Sequence, residues 1–211
     1  MDGTLVDTEP YWLAAQDELV HSHGGTWTHE DGLSLVGSGL WHAAGILQGR
    51  GVPLTEDQIV DTLTARVMES IETSVPWRPG ALELLTSIRA AGIPTALVTM
   101  SIRSMALHVA SLAPAGSFDR VVAGDDVIHS KPHPEPYLRA AELLGVDVTE
   151  CVAIEDSTTG LAAAVASGAI SIGVPLHSEL DASLGYTIWP SLEGRSVDDV
   201  RSLFAAVRAA A

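Results

Sequence analysis

Basic residues are scarce in this sequence. Its 211 residues include 11 Lys and Arg against 27 Asp and Glu, which gives a formal net charge of −16. Nucleic acids and anionic membranes attract basic surfaces, so this charge argues against binding to either one through bulk electrostatics. The acidity is typical of a solubilising protein surface.

Cysteine and long apolar runs are nearly absent as well. Cys151 is the one cysteine, so no intramolecular disulfide can form, which suits a reducing cytoplasm. Its apolar Cys-Val-Ala-Ile context indicates a core residue rather than a nucleophile. The uncharged stretch 158–176 is interrupted by three glycines and a proline. It therefore predicts a buried helix, a turn and a strand rather than a membrane span.

The first third of the chain shows helical periodicity. The pattern predicts one helix from Glu9 to a stop at Gly24, shorter helices over 30–36 and 40–48, and a longer helix with Thr55 as its N-cap. Residues 9–76 carry no strand signal, so we expect this block to be helical.

Strand and helix patterns alternate after Pro76. This alternation predicts an α/β fold in which helices cover both faces of a parallel sheet. Such sheets carry their chemistry at the carboxyl ends of the strands. The expected strands are 95–99, 120–122, 151–154 and 170–174, and the expected helices are 80–91, 103–112, 134–144, 158–167 and 197–210.

Three loops at predicted strand ends carry polar groups suited to phosphate chemistry. Thr99-Met100-Ser101 offers hydroxyls and backbone amides before a helix, which is a phosphate seat, although helix capping by Ser101 is the simpler alternative. Lys131, the only lysine beside ten arginines, offers a compact ammonium that pairs with carboxylates or phosphoryl oxygens in a tight site. The alternative is a chance surface lysine.

Glu155 and Asp156 end the most apolar strand pattern of the chain. Two adjacent carboxylates repel each other unless a cation joins them, and Mg²⁺ takes such ligands together with substrate phosphate. The alternative is that Asp156 or Ser157 N-caps the next helix. Taken together, the three loops supply hydroxyl, ammonium and carboxylate groups, which indicates phosphoryl-transfer chemistry.

These motifs resemble the haloacid dehalogenase (HAD) superfamily, in its branch of phosphatases and phosphoglucomutase-like enzymes with a helical cap domain. The resemblance implies a core formed by residues 1–6 and 77–211 with sheet order 5-4-1-2-3, and a mobile cap domain at 7–76. It rests on the segments Asp2-Gly3-Thr4-Leu5-Val6-Asp7-Thr8-Glu9-Pro10, Pro79-Gly80, the strand ending at Thr99, Lys131-Pro132-His133-Pro134 and Glu155-Asp156-Ser157-x-x-Gly160.

The resemblance also implies catalytic roles. In the family's Asp-x-Asp-Gly-Thr motif the first Asp attacks phosphorus, and the second, matched by Asp2, serves as acid and base. Thr99, with Met100 and Ser101, matches the phosphate-binding loop, and Lys131 matches the charge-neutralising lysine. The implied cofactor is Mg²⁺, and its ligands match Asp2 (through the main-chain carbonyl), Glu155 and Asp156.

The position of the first Asp of this motif precedes Met1. Since Met is a frequent middle residue of the motif, we expect a further strand that ends in Asp to lie upstream of Met1. A start codon assigned at an internal Met, or a truncation, would explain why this sequence begins after it. A natural pseudoenzyme is the alternative, disfavoured because the other matched residues are present. Without that strand, we expect two inner strands to lack a ladder partner and to be prone to association.

The resemblance narrows the expected reaction to hydrolysis of small phosphate monoesters, of sugar or polyol type. Asp2 argues against dehalogenation, which needs no acid for a leaving alkoxide, and the absence of lysine from 7–76 argues against Schiff-base chemistry. A phosphohexomutase and a non-catalytic protein that binds a phosphorylated ligand or Mg²⁺ remain alternatives. Gly37 and His42 lie where the cap could face the site, although a surface or packing role for each is the favoured alternative. Arg78 and Arg103 are possible anion contacts.

Overall fold

The computed structural model describes residues 1–35 and 38–210. The chain folds into two compact units. One unit contains Met1, Gly3–Leu5 and the chain from Trp77 onward, and the other contains Asp2 and Val6–Pro76. Gly37, and the end of the helix predicted over 30–36, lie outside the described residues.

The second unit is helical throughout its described part. Threonine side chains begin two of its helices, because Thr28 and Thr55 each accept a hydrogen bond from a backbone N–H three residues later in a capping box. The helices are α1 (Glu9–Ser22), α2 (His29–Leu33), α3 (Leu40–Gly49) and α4 (Glu56–Thr73). The helical periodicity predicted for this block is confirmed.

Helix α4 organises the core of the helical unit. Its apolar residues recur every four positions, so they form one stripe along the helix, and they are almost completely buried. The helix packs against both α1 and α3. Each such side chain contributes about 1.5–3 kcal/mol by leaving water. The stripe consists of Ile59, Leu63, Val67 and Ile71.

The first unit alternates strands and helices, as predicted. Its strands are β1 (Ala96–Val98), β2 (Arg120–Val122), β3 (Val152–Glu155), β4 (Ile170–Gly173) and β5 (Thr187–Ile188). Its α-helices are α5 (Ala81–Ala90), α6 (Arg103–Leu112), α7 (Glu135–Leu144), α8 (Thr158–Ser167) and α9 (Val197–Ala210). The sequence did not predict β5, because two residues are too few to show a strand period.

The strands form two parallel sheets. In one, β1 pairs with β2, and in the other the order is β3-β4-β5. The uncharged stretch 158–176 folds as α8 and β4, and no helix in the described parts of the chain is long and apolar enough to cross a membrane. The expected α/β class is confirmed.

Helices cover both faces of the β3-β4-β5 sheet. On one face, small residues of α8 and Tyr137 of α7 pack against Ala153 of β3. On the other face, Ala81 and Leu84 of α5 pack with Ile172 of β4. Parallel sheets need such cover because both faces are apolar.

An apolar cavity of about 500 Å³ is lined by both sheets. Residues of β1 and of β3 line it, together with Ile88 of α5 and Phe204 of α9. Within the described residues, β1 pairs only with β2, and β3 pairs only with β4. The second edge of each of these strands therefore has no ladder partner among them.

Gly80 provides a test of the packing before α5. Its φ is +82°, and a Cβ at this position would lie 2.1 Å from the carbonyl oxygen of Leu192. We expect Gly80→Ala to lower the free energy of unfolding by about 3 kcal/mol, from left-handed strain and overpacking together. Gly145→Ala is the matched control, since its φ is +71° with open space around it, and it should cost about 1 kcal/mol. If urea unfolding shows that Gly80→Ala and Gly145→Ala lose the same free energy of unfolding, the steric clash at Gly80 is contradicted.

Candidate active site

The loop over residues 1–5 is packed tightly against Asp156. The hydroxyl of Thr4 donates to Asp156 Oδ1 at 2.8 Å. Gly3 has a φ of +70°, and a Cβ there would lie 2.1 Å from Asp156 Oδ2. Only glycine therefore allows the backbone to approach this carboxylate so closely.

Arg78 holds the same loop from the other side. Its buried guanidinium donates to the carbonyl oxygens of Gly3 at 2.5 Å, Val174 at 2.9 Å and Pro175 at 3.0 Å. Its backbone N–H donates to the carbonyl of Leu5 at 2.8 Å. Arg78 thus joins the first loop to the end of β4 through these carbonyl groups.

Asp2 stands between Met1 and Gly3 in this loop. Its Oδ1 accepts a hydrogen bond of 2.6 Å from the hydroxyl of Thr8, which is completely buried. This bond fixes the orientation of the carboxylate. Thr8 was not among the predicted site residues, although a hydroxyl six residues after an acid in a turn is the signal that would have suggested it.

The loop after β1 is ordered by its own hydrogen bonds. Thr99 and Ser101 are buried, and the backbone N–H of Ser101 donates to Thr99 Oγ1 at 3.1 Å. The N-cap residue of α6 is Ile102, without a side-chain capping bond, so the alternative that Ser101 caps this helix is wrong. Met100 Sδ accepts a hydrogen bond of 3.4 Å from the backbone N–H of Lys131.

Lys131 connects two strand ends. Its Nζ donates to the carbonyl oxygen of Val98 at 3.2 Å and to Glu155 Oε1 at 2.5 Å. Only 8% of its side chain is exposed, so the surface-lysine alternative is wrong. The ammonium therefore lies at the carboxyl ends of both β1 and β3, where the sequence predicted chemistry.

Glu155 is enclosed by donors. Its Oε1 accepts hydrogen bonds from Lys131 and from the hydroxyl of Tyr137, and a Cβ on Gly160 would lie 2.1 Å from its Oε2. Burial is the largest single influence and raises the pKa of Glu155. The charges of Lys131 and of the N-terminal ammonium, together with the hydrogen bonds from Lys131 and Tyr137, more than offset it and bring the pKa below its ordinary value. Glu155 is accordingly an ionised partner of Lys131.

Tyr137 belongs to this group and was missed by sequence reasoning. Its ring lies 5.0 Å from Lys131 Nζ, and burial, followed by the charge of Glu155, raises the pKa of its hydroxyl well above the ordinary value. It is therefore a neutral donor. The helical spacing of α7 identifies Tyr137 as a core residue, but its partner Glu155 lies 18 residues away on another element.

Of the two adjacent acids Glu155 and Asp156, Asp156 is the one whose pKa is raised. Burial and then the charge of Glu155 raise its pKa to about 6, against the opposing effects of the N-terminal ammonium, the Thr4 hydrogen bond and Lys131. The N-cap of α8 is Ser157, whose Oγ accepts from the backbone N–H of Gly160, so Asp156 is not the cap. A carboxylate held beside a second carboxylate is a suitable ligand for a hard divalent cation.

Comparison with known proteins identifies the family. The profile of the haloacid dehalogenase-like hydrolases matches residues 1–168. The chain belongs to this family. The match spans the first loop, the segments that carry Thr99 and Lys131, and the Glu155-Asp156 pair.

Individual relatives of this haloacid dehalogenase-like hydrolase are phosphatases by name. Hexitol phosphatase B of Escherichia coli is 32% identical over 183 residues, 83% of this chain and 81% of that protein. Fructose-1-phosphate phosphatase YqaB of E. coli is 33% identical over 180 residues, 83% of this chain and 94% of that protein. The chain is thus a hydrolase of the phosphatase type.

A solved structure supports the same fold. CbbY from Rhodobacter sphaeroides, in complex with phosphate, superposes with a TM-score of 0.86 at 26% identity, covering 95% of this chain and 96% of that protein. The likeness therefore extends over nearly the whole haloacid dehalogenase-like chain, including its helical unit.

Asp156 gives the first test of the site's electrostatics. The pKa of Asp156 is about 6 in the folded protein and 3.8 in the reference state. Ionisation of Asp156 therefore lowers the free energy of unfolding as the pH rises from about 4 to 6, and the loss remains constant at higher pH. We expect Asp156→Asn to raise the free energy of unfolding by about 1 to 3 kcal/mol at pH 8 without added metal. At pH 4 the gain should vanish. A gain that does not depend on pH, measured by urea unfolding, would contradict the charge origin.

The Lys131–Glu155 pair gives the second test. Lys131→Met leaves a buried carboxylate without its cation, and we expect a loss of about 3 to 5 kcal/mol in urea unfolding at pH 7. The double variant Lys131→Met/Glu155→Gln removes both charges and should regain much of this stability. If the losses measured for Lys131→Met alone and Glu155→Gln alone simply add in the double variant, the pair is not energetically coupled.

Proposed function

We propose that this chain is a Mg²⁺-dependent phosphatase of small phosphate monoesters of sugar or polyol type, and that it acts through an aspartyl phosphate. The observation that carries the proposal is the position of Lys131 Nζ, within hydrogen-bond reach of both Val98 O and Glu155. This contact links the strand end that precedes Thr99 to Glu155, which supports a single site for the loop after β1 and the carboxylate pair after β3. Hydroxyl, ammonium and carboxylate groups then face one substrate.

The donor set fits Mg²⁺. Asp156, the main-chain carbonyl of Asp2 and Glu155 would hold the ion, with Asp156 contributing most because Glu155 already accepts from Lys131 and Tyr137. The raised pKa of Asp156 supports this fit, since a cation relieves the repulsion between the two acids. When bound, Mg²⁺ supplies positive charge to the phosphoryl oxygens.

The phosphate is bound by the loop after β1. The Thr99 hydroxyl and backbone N–H groups of Met100 and Ser101 orient the phosphoryl oxygens, and the Lys131 ammonium neutralises their charge. The bond between Ser101 N–H and Thr99 Oγ1 keeps the hydroxyl in place.

The nucleophile is an Asp in the position before Met1, at the end of a strand that lies in the apolar cavity between β1 and β3. Support comes from the cavity's volume of about 500 Å³ and its lining by both strands. The Asp carboxylate forms an O–P bond while the ester P–O bond breaks, and Asp2 gives its proton to the leaving alkoxide. Asp2 then takes a proton from water, which attacks phosphorus and releases phosphate and the free Asp.

The helical unit acts as a cap domain. We assign residues 7–76 to this cap and residues 1–6 and 77–211 to the catalytic core. The names of two relatives, a hexitol phosphatase and a fructose-1-phosphate phosphatase, support sugar and polyol phosphates as the substrate class. Location in the cytoplasm stays a prediction from the single cysteine.

Hydrolysis of p-nitrophenyl phosphate with Mg²⁺ tests this function. We expect turnover by a protein extended upstream with an apolar strand that ends in Asp, and almost none by the present chain, because only the former has a nucleophile. The matched control replaces that Asp with Asn. A panel of hexitol and ketose phosphates then identifies the substrate.

Three outcomes would count against the proposal. Turnover by the Asn control would place the nucleophile elsewhere. Turnover by neither protein, with folding intact, would favour a non-catalytic phosphate-binding protein. An upstream reading frame without an apolar run ending in Asp-Met-Asp would remove the proposed nucleophile.

A further inference from the structure

A second group of metal-ligating side chains lies outside the proposed active site. His129, His133 and Glu135 each offer one ligand atom, and these three atoms all lie within 4.8 Å of one another. Over residues 1–35 and 38–210, this is the one group of three or more His, Cys, Asp or Glu side chains with such geometry. No role in phosphate chemistry accounts for it.

Hydrogen bonds hold the three side chains together. The Glu135 carboxylate accepts from the backbone N–H of Ile128 at 2.8 Å and of His129 at 2.9 Å. His129 Nδ1 lies 2.7 Å from Glu135 Oε2, and the backbone N–H of Glu135 donates to His133 Nδ1 at 3.2 Å. The two imidazole rings are 4.5 Å apart. The group is therefore largely organised before any ligand arrives.

The backbone around His133 is also restricted. Pro132 and Pro134 flank it and fix their own φ angles, and Glu135 is the first residue of α7. The ring of His129 is exposed, with 60% of its side chain accessible, whereas Glu135 is 26% accessible. An ion from solvent thus reaches ligands that stand on a stiff segment.

The ligand types determine which ion fits. Imidazole nitrogen with one carboxylate is a donor set for Zn²⁺, Co²⁺, Ni²⁺ or Cu²⁺, whereas Mg²⁺ prefers oxygen. Three protein ligands with water in the remaining position are common in zinc sites, where metal–ligand bonds are about 2.0–2.2 Å.

We propose that His129, His133 and Glu135 form a binding site for a divalent transition-metal ion, separate from the Mg²⁺ site. The hydrogen bonds from Ile128 and His129 lower the pKa of Glu135, so the carboxylate is available as an anion. The site lies on the loop that carries Lys131, two residues before His133. This site does not depend on the proposed phosphatase activity.

Calorimetric titration of the tag-free protein with Zn²⁺, in the presence of excess Mg²⁺, tests the site. We expect one Zn²⁺ per chain that Mg²⁺ does not displace. Loss of an outer-shell partner weakens metal binding roughly 10- to 100-fold. Because His133 and His129 are proposed as direct ligands, His133→Ala and His129→Ala should each weaken Zn²⁺ binding by at least that factor. Glu135→Gln, which keeps an acceptor for the Ile128 N–H, should weaken it as well.

The control is a second exposed histidine pair. His21 lies beside the Asp17 carboxylate, and the Nδ1 atoms of His21 and His23 are each 2.9 Å from a backbone carbonyl oxygen. The double variant His21→Ala/His23→Ala should bind Zn²⁺ as the parent does, and so should Asp156→Asn. Circular dichroism confirms that each variant is folded.

Two results would overturn the proposal. One is the absence of Zn²⁺ binding to the folded parent protein. The other is binding that survives in His133→Ala and is lost in Asp156→Asn, which would assign the ion to the Glu155-Asp156 pair.

Discussion

The buried ion pair between Lys131 and Glu155 is the interaction on which the site depends. Removing an ammonium and a carboxylate from water costs several kcal/mol for each ion, so a pair of this kind persists only with good geometry and further hydrogen bonds. Val98 O and the Tyr137 hydroxyl supply those bonds. The pair thereby joins β1, β3 and α7, three elements that the chain order separates.

Charge balance around this pair explains the character of Asp156. One ammonium neutralises one of two adjacent carboxylates, and the second remains in a site that burial makes unfavourable for charge. Its raised pKa reflects burial first and the charge of Glu155 second. The second buried carboxylate therefore costs stability when it is ionised.

Glycine makes the close contacts of this site possible. A side chain on Gly3 would meet Asp156, and one on Gly160 would meet Glu155, in each case at 2.1 Å. The backbone therefore approaches both carboxylates directly. The loop after β2 differs in kind, since it places Lys131 inside and the imidazoles of His129 and His133 outside, so one short segment presents two different types of ligand chemistry.

The sequence by itself determined the alternation of strands and helices, the helical character of residues 9–76 and the positions of the polar loops. Those features follow from local periodicity and turn chemistry, which act over a few residues, and the boundaries of β2, α6 and α8 were predicted to the residue. The candidate site residues Thr99, Glu155 and Asp156 were proposed because they stand at predicted strand ends, and Lys131 because it is the only lysine. Only the tertiary structure decided their partners. Tyr137 bonding to Glu155, Arg78 binding the carbonyl of Gly3, and Thr4 donating to Asp156 connect positions up to 152 residues apart, and no local pattern encodes contacts that form only when separate elements pack together.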